Sequence, residues 1–175
     1  MPTHMEAMED GRLVVRDGAY NDEPSALRIF GRSPDDDWRA VFYADRDMIG
    51  LPIADETYLA GPLAVDWRAG APSPNAPADG FAARMRRTVY LSGGTYRFSV
   101  EVLGSVRLWV GAKLILDRWD ERAVTDAEEV FLPAGRHLVQ LDFTDPDGAA
   151  NVFLDWSLQR AAPSPLLLPE LLVGR

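Results

Sequence analysis

The run LSGGTYRFSVEVLGSVRLWVGAKLILDRW, residues 91–119, decides the fold. Across residues 95–102 apolar and polar side chains alternate, which is the period of a β-strand with one buried face. The alternation returns at residues 106–110, and Gly111 then begins a turn into the apolar run at residues 113–116. The run therefore predicts three consecutive antiparallel strands.

Short apolar runs of the same kind lie on both sides of these strands. They cover residues 12–16, 26–30, 38–43, 63–67, 81–91, 129–132, 137–143 and 152–158. Gly, Pro and Asp residues separate the runs, and none of the runs has the length of a typical helix. We therefore predict an all-β fold, an antiparallel β-sandwich or barrel of about ten short strands.

The connections between these strands are rich in turn-forming residues. We predict irregular chain at residues 44–56, a proline-rich loop at 68–80 and a polar loop at 120–126. Residues 133–135 have the composition of a tight turn, and Asp-Pro-Asp-Gly at residues 145–148 that of a hairpin turn. Each strand is therefore expected to end where these residues begin.

The chain of 175 residues has the size of one domain with additions. We predict that residues 38–160 form the β-sandwich. Residues 1–37 form an N-terminal extension with a strand pair, and residues 161–175, which carry proline and leucine clusters, form a tail or linker.

Composition excludes several kinds of partner. The formal net charge of −9 would repel nucleic acid and anionic membranes, so we expect neither nucleic acid binding nor direct membrane insertion. No run approaches the roughly 20 apolar residues of a membrane helix, and the first residues lack the apolar core of a signal peptide. The chain contains no cysteine and therefore has neither disulfides nor thiolate ligands.

Catalytic motifs are absent from the sequence. It has no Gly-x-Ser-x-Gly elbow, no His-Glu-x-x-His zinc motif and no glycine-rich phosphate loop. His137 begins an apolar alternating series, where a structural histidine is the simpler interpretation. A glycosidase pair of carboxylates stays open, but the acidic residues fall in turns and linkers, where solvation explains them. We therefore predict that the chain is not an enzyme.

Several signals in a fixed order resemble a known family. They are a strand that ends at Trp67, the run Gly94-Thr95-Tyr96-Arg97-Phe98, the run Asp117-Arg118-Trp119, the turn Ala134-Gly135 and a closing strand with Trp156. Over about residues 38–157 this order is similar to the PA14 family, a β-sandwich module of bacterial toxins, glycosidases and cell-surface adhesins. The resemblance implies a PA14-like antiparallel sandwich, in which the tryptophans at strand ends are core residues.

The resemblance also implies a ligand site whose key residues are missing. Adhesins of the family bind sugar with the help of calcium, held by two adjacent aspartates just after the Gly-Thr-Tyr-x-Phe strand. This chain has Leu103 and Gly104 at those positions. Calcium prefers carboxylate and carbonyl oxygens, and neither side chain supplies one. We therefore predict no metal site and no cofactor, with calcium left open only through other ligands.

Five residues are the candidates for ligand binding. Asp145, Asp147 and Asn151 match the place of the family's second binding loop, although Asp residues also occur there simply to form a turn. Arg107 and Trp109 share one face of a strand and could stack against a sugar ring. The alternative for Trp109 is a core position beneath another segment.

We predict a non-catalytic, lectin-like recognition module for carbohydrate, part of a larger bacterial protein that is secreted or held at the cell surface. Its partner would be a glycan or a neighbouring protein domain. The alternative is a structural, protein-interaction or assembly domain without a sugar ligand.

Overall fold

The computed structural model describes residues 4–7, 13–16 and 27–30 as strands and residues 36–145 and 147–163 in full. Within these ranges the chain forms antiparallel β-strands, and none of the described residues forms a helix long and apolar enough to cross a membrane. The strands are β1 (His4–Ala7), β2 (Leu13–Arg16), β3 (Leu27–Phe30), β4 (Trp38–Tyr43), β5 (Ala54–Tyr58), β6 (Leu63–Arg68), β7 (Ala82–Leu103), β8 (Ser105–Val110), β9 (Lys113–Arg118), β10 (Ala123–Thr144) and β11 (Ala150–Ala161). The predicted all-β, antiparallel fold class is confirmed.

The three N-terminal strands form a small sheet of their own, in the order β1-β2-β3. Strands β2 and β3 pair where the sequence predicted a strand pair. Strand β1 was not predicted, because His-Met-Glu-Ala contains none of the β-branched or aromatic residues that favour strands.

Two long strands, β7 and β10, organise the rest of the fold. Each runs for 22 residues, and they pair antiparallel from Leu103↔Ala123 to Ala82↔Thr144. The first half of β7 also pairs with β4, and its second half pairs with β11. The long strands therefore belong to two sheet layers at once.

We name the layers by their strands. Layer A has the order β5-β4-β7-β10-β8-β9 and contains residues 82–91 of β7 with residues 134–144 of β10. Layer B contains β6, β11, residues 94–103 of β7 and residues 123–132 of β10. Trp38 of layer A lies 6.2 Å from Trp156 of layer B between ring centroids, although their strands do not pair. The two layers therefore pack face to face as a sandwich.

The core between the layers is built by the inward positions of each strand. One aromatic cluster joins Phe42, Trp67, Phe81 and Phe143, with ring centroids 5.4–6.1 Å apart. Three of these four rings, all except Trp67, are fully buried. Truncation of such a ring to alanine typically costs about 3–5 kcal/mol, so this cluster is a major source of stability.

The long strands bend where glycine allows it. Gly94 has a φ of +145°, and a Cβ there would collide with the carbonyl oxygen of Arg160 on β11 and lie 2.7 Å from Leu158 Cδ1. Only glycine lets β11 approach β7 this closely. Opposite the bend, the β10 pairing passes from Leu132 directly to Ala134, which skips Pro133, a residue without an N–H.

Three predicted connections were therefore wrong. The tight turn at residues 133–135 is a bend within β10, and residues 123–126 of the predicted polar loop are the start of the same strand, because pairing with β7 holds them extended. Residues 54–56, predicted as irregular, begin β5, an edge strand too exposed to show an alternating pattern.

The prediction of a hairpin turn at residues 145–148 was also wrong. Strand β11 pairs with β6 and β7 and not with β10, so this segment crosses from layer A to layer B. The end of the sandwich differs slightly too, since Ala161 still belongs to β11 and the Ala162 N–H donates to the Gly93 carbonyl. Most of the predicted tail, residues 164–175, lies outside the described residues.

Candidate functional site

The connection between β7 and β8 lies at the expected position of the aspartate pair, and it is closed. Gly104 has a φ of +133°, and a Cβ there would collide with the ring of Phe143 and lie 2.7 Å from the Thr144 carbonyl oxygen. The Gly104 N–H donates to the Arg122 carbonyl at 2.7 Å, and the Leu103 N–H donates to Asn151 Oδ1 at 2.9 Å. A carboxylate has no room at Gly104, so these residues do not fit the calcium ion that the resemblance implies.

The crossing segment next to it is held by internal contacts. Asp145 is 1% exposed, and its N–H donates to the Phe81 carbonyl. Both oxygens of Asp147 accept from Arg122, at 2.7 and 3.0 Å, and Asp79 Oδ1 accepts from the Gly148 N–H. Asp147 is therefore neutralised by a neighbour, and Asp145 is not accessible to a ligand.

The carboxyl of Asp145 is nevertheless unusual. Within residues 36–145 and 147–163 its Oδ2 has no hydrogen-bond partner. Burial, and after it the negative charges of Asp79 and Asp147, raise the pKa of Asp145, while a hydrogen bond from the Asp147 backbone opposes the rise. Among the described side chains no three His, Cys, Asp or Glu residues converge as a metal site.

The candidate Asn151 leads to a surface that the sequence did not reveal. It lies at the start of β11 and lines a depression of about 330 Å³ on the outer side of layer B. Phe153, two residues further along the same face, is 40% exposed and lies between Ala64 of β6 and Glu101 of β7 in the sheet. A second depression, of about 460 Å³, lies on the other side of the ring.

We call this surface the Phe153 face. Its polar side chains surround the exposed ring from four neighbouring strands. They are Asp66, Arg97, Ser99, Glu101, Thr125, Asp126 and Asn151. An exposed aromatic ring with hydroxyl, amide and carboxylate groups at its edges suits a sugar, which has an apolar face and a rim of hydroxyls.

One signal in the sequence indicates this face. Val152 and Leu154 point inward, so Phe153 between them occupies an outward position, where a large aromatic residue is unusual. From the pattern of its residues this strand was predicted only as the closing strand of the sandwich. Its neighbours Glu101 and Asp66 come from strands far apart in the sequence, so the surface could not be assembled from the pattern alone.

The remaining candidates, Arg107 and Trp109, lie on the outer side of layer A. Arg107 Nε donates to Asp117 Oδ1 at 3.0 Å, and its guanidinium lies 4.7 Å from the centroid of the Trp119 ring. Trp109 is half-buried and sits opposite Gln140 in the sheet. These two residues are therefore separated from Asn151 by the thickness of the sandwich.

Trp119 also differs from the expectation of a core residue. The guanidinium groups of Arg46 and Arg107 lie 5.4 and 4.7 Å from its ring centroid, and it is not part of the buried cluster. Cation–π contacts of this kind stabilise a partly exposed ring. His137, by contrast, has a structural partner, since its Nε2 donates to the Pro133 carbonyl at 2.8 Å.

The centre of the outer side of layer A is an internally bonded network. Arg84 donates two hydrogen bonds to the buried Asp142, at 2.8 and 2.6 Å, and these bonds raise the pKa of Arg84. Gln140 donates to Asp142 and accepts from Arg86 Nε at 2.7 Å. Because these groups satisfy one another, the network is structural.

Comparisons with known proteins agree with the fold. The model of the PA14 domain family matches residues 40–164. A curated relative, the anti-sigma-I factor RsgI3 of Acetivibrio thermocellus, is 30% identical over 95 residues, which is 53% of this chain and 15% of the relative. The chain thus spans only a small part of that protein.

Similar solved structures include the following two. An anti-sigma factor domain-containing protein from Clostridium clariflavum has a TM-score of 0.63 at 22% identity, covering 73% of this chain and 43% of that one. A structure described as the PA14 sugar-binding domain of an RTX adhesin has a TM-score of 0.55 at 14% identity, covering 74% and 99%. At these identities the likeness shows the fold alone.

Proposed function

The chain belongs to the PA14 domain family, as its residues predicted, and on that premise we propose that it is a non-catalytic module that binds carbohydrate through the Phe153 face. The observation that carries the proposal is the exposed Phe153 ring between two depressions lined by hydrogen-bonding side chains. Other apolar side chains, such as Phe131, are exposed too. What sets Phe153 apart is its place between two depressions lined by polar groups, an arrangement that suits an apolar sugar face with a rim of hydroxyls.

The polar groups around the ring are suited to sugar hydroxyls. Glu101 and Asp66 supply acceptors, Asn151 supplies an amide, and Ser99 and Thr125 supply hydroxyls that both donate and accept. Asn151 already uses its Oδ1 for the Leu103 N–H, which fixes the amide and directs its two donors elsewhere. A fixed donor lowers the entropy cost of binding.

Recognition of this kind does not need calcium in this chain. The closed connection at Gly104 removes the place where an aspartate could stand, and the Phe153 face lies on the outer side of layer B instead. The fold likeness to a domain described as sugar-binding supports the ligand class. An open sheet surface gives weak binding at a single site, which linkage to other domains can raise.

The setting of the module is part of the proposal. The curated relative and the similar structure from Clostridium clariflavum are both longer than this chain, which covers 15% and 43% of them. We infer that the chain acts as the recognition unit of a longer protein outside the cell or at its surface. In that setting the ligand would be an extracellular glycan.

The test compares two exposed phenylalanines. We expect Phe153→Ala to lower the affinity for a glycan selected on an array by about tenfold, since a stacked ring contributes on the order of 0.5–1.5 kcal/mol beyond its buried area. The matched control is Phe131→Ala, which removes an exposed ring of the same layer outside both depressions. Titration calorimetry measures both. Equal losses in the two variants, or no glycan bound by the parent chain, would show the proposal to be wrong.

A second candidate is a protein-interaction module. It is favoured by the two similar proteins described as anti-sigma factors or as containing their domain, since such proteins act through protein partners. It predicts an array without glycan binding and a Phe153→Ala variant that loses a protein partner instead. The glycan array therefore separates the two candidates.

A further inference from the structure

The outer side of layer B carries a straight row of four side chains across its strands. Phe153 is the Cα partner of Ala64 on β6 and of Glu101 on β7. Thr125 on β10 is the next partner of Glu101. Neighbouring strands lie about 4.8 Å apart, so the row spans roughly 14 Å across the sheet. A single sugar ring covers only part of this row.

The two depressions of the Phe153 face lie on opposite sides of the row. One is lined by Asn151, which precedes Phe153 by two residues on β11. The other is lined by Ser99, the Cα partner of Asp155, which follows Phe153 by two residues. Phe153 and Glu101 line both depressions, so the depressions adjoin at these two side chains. Together they form a path that crosses the strands obliquely.

This path reaches both edges of layer B. The first depression includes Ala64 of β6, and β6 pairs with β11. The second includes Ala127 of β10, whose residues 123–132 pair with β7. Both side chains are small, which leaves the space that the depressions occupy. Among the described strands no further one pairs at either edge, so a ligand can continue past both, as the interior of a polymer chain requires.

Glu101 differs from the other charged groups of this path. Asp66, Arg97 and Asp126 each lie in an ion pair with a neighbouring side chain. Among the residues that the structure describes, Glu101 has no hydrogen bond or ion pair, and it is the Cα partner of Phe153. An ionised carboxylate accepts hydrogen bonds from two adjacent hydroxyls. The same carboxylate repels a ligand that brings its own negative charge to this place.

We infer that the Phe153 face binds the interior of a linear, uncharged polysaccharide whose chain crosses the strands through both depressions. The inference rests on the proposed function and adds the form and the charge of the ligand. One sugar unit stacks on Phe153 and donates hydroxyls to Glu101, and the units on either side occupy the two depressions. Glu101 is then the residue that selects uncharged chains over acidic ones, and the net charge of −9 acts in the same direction.

The first experiment measures how affinity depends on the length of the ligand. The probes are β-1,4-linked oligosaccharides of glucose and of mannose, from the single sugar to the hexasaccharide, titrated by calorimetry. We expect the affinity to rise about tenfold between disaccharide and tetrasaccharide, because the added units bring further hydrogen bonds. Beyond the length that fills both depressions the affinity should level off. A single sugar bound as tightly as the tetrasaccharide would overturn the inference.

Two variants fill the depressions separately. Ala64→Gln fills one and Ala127→Gln fills the other, and each should remove most of the gain in affinity with length. The matched control is Ala123→Gln, at an exposed position of β10 outside both depressions, which should keep the whole gain. Equal losses in all three variants would show that the ligand does not follow this path. Far-ultraviolet circular dichroism confirms that each variant is folded.

The charge of the ligand is tested at Glu101. The acidic probes are the same oligosaccharides with a carboxylate at C6, namely those of glucuronate and mannuronate. The parent chain should bind the acidic tetrasaccharide about tenfold more weakly than the neutral one, and Glu101→Gln should remove most of this difference. The matched control is Glu56→Gln, which removes the same charge at an exposed position of β5 and should preserve the difference. Equal changes in the two variants would indicate an effect of overall charge and contradict the role of Glu101.

The outcomes separate the inference from the proposed function. An array glycan that binds through Phe153, combined with no binding of either neutral series or no dependence on length, disproves only the inference about the polymer chain. A parent chain for which the array finds no glycan disproves the proposed function itself, and the inference falls with it.

Discussion

The two outer faces of the sandwich are built by the same pair of long strands, yet their polar side chains are paired in different ways. On layer A, Arg84, Asp142, Gln140 and Arg86 satisfy one another in a single network. On layer B the charged groups form separate pairs, Asp126 with Arg118 at 2.6 Å, Asp66 with Arg68 at 3.7 Å and Glu129 with Arg97 at 3.8 Å, and several of them line depressions. The polar groups at the centre of layer A are therefore one connected network, whereas those of layer B form isolated pairs.

The difference shows how one strand can contribute side chains to two different surfaces. Strand β7 alternates inward and outward in each half, and its outward residues include Arg86 and Tyr90 in the layer A half and Arg97 and Glu101 in the layer B half. The glycine bend at Gly94 separates the halves and turns them onto opposite sides of the core. Alternation thus fixes which residues point outward within each half, while the bend shifts its phase and decides which surface the outward residues share.

The largest expected effect tests the link between the layers. Gly104→Asp should destabilise the fold by about 4 kcal/mol, because a side chain at that φ is strained and also meets the Phe143 ring. Chemical denaturation measures the loss. The denaturation midpoint of the variant should not rise when millimolar calcium is added, since the aspartate side chain has no room to form a calcium site.

Gly111→Asp is the control for this substitution. Gly111 also has a positive φ, +61°, but a Cβ there meets nothing within 4 Å. The expected cost is therefore only the conformational one, about 1–2 kcal/mol. A stable Gly104→Asp variant with a midpoint raised by calcium would show that the connection is open and that the family's metal site can form.

The next effect contrasts the two faces directly on β10. Asp142→Ala should cost about 3 kcal/mol, because it leaves the Arg84 guanidinium, whose side chain is only 30% exposed, without its bidentate partner. Glu129→Ala removes the carboxylate of an exposed layer B pair with Arg97, in which Glu129 is 53% exposed and the two charged groups lie 3.8 Å apart, and should cost less than about 1 kcal/mol. Urea denaturation of both variants gives the comparison, and equal losses would remove the distinction between the faces.

The fold could be predicted from the sequence to the extent that it depends on local pattern. Strands β8 and β9 lie within two residues of the predicted runs, because alternation and the turn at Gly111 are visible in neighbouring residues. The continuity of β10 could not be predicted, since its polar first residues are extended only through pairing with β7. Turn-forming residues at the bend and at the crossing segment gave the same signal as true turns.

The candidate site was less predictable for the same reason. The missing aspartates at Leu103 and Gly104 were visible in the sequence, but the closing contact of Gly104 is with Phe143, a residue 39 positions away in the numbering. Asp145 and Asp147 look alike in the sequence, and only the crossing between layers buries one and exposes the other. Asn151 stays a predicted ligand residue, now as part of the Phe153 face.

The smallest expected effect concerns Asp145, where the crossing segment joins the two layers. Burial raises the pKa of its carboxyl above the usual value of about 3.9 that it has in the unfolded chain. Below that value both states are protonated and the group costs nothing. As the pH rises through the folded pKa, the unfolded chain ionises more readily, so this group lowers the free energy of unfolding.

Asp145→Asn removes the ionisation and keeps an oxygen for the hydrogen bond from the Asp147 backbone. The variant should therefore match the parent chain in stability at pH 3.5 and be more stable at pH 7. The gain should be smaller than the losses expected for Gly104→Asp and Asp142→Ala. Asp55→Asn, which makes the same change at an exposed carboxyl on the edge strand β5, is the matched control. Urea denaturation at both pH values measures the change. If Asp145→Asn is less stable than the parent at pH 7, the ionised carboxylate is stabilised by a partner, and the crossing segment holds a charge that the layers accommodate.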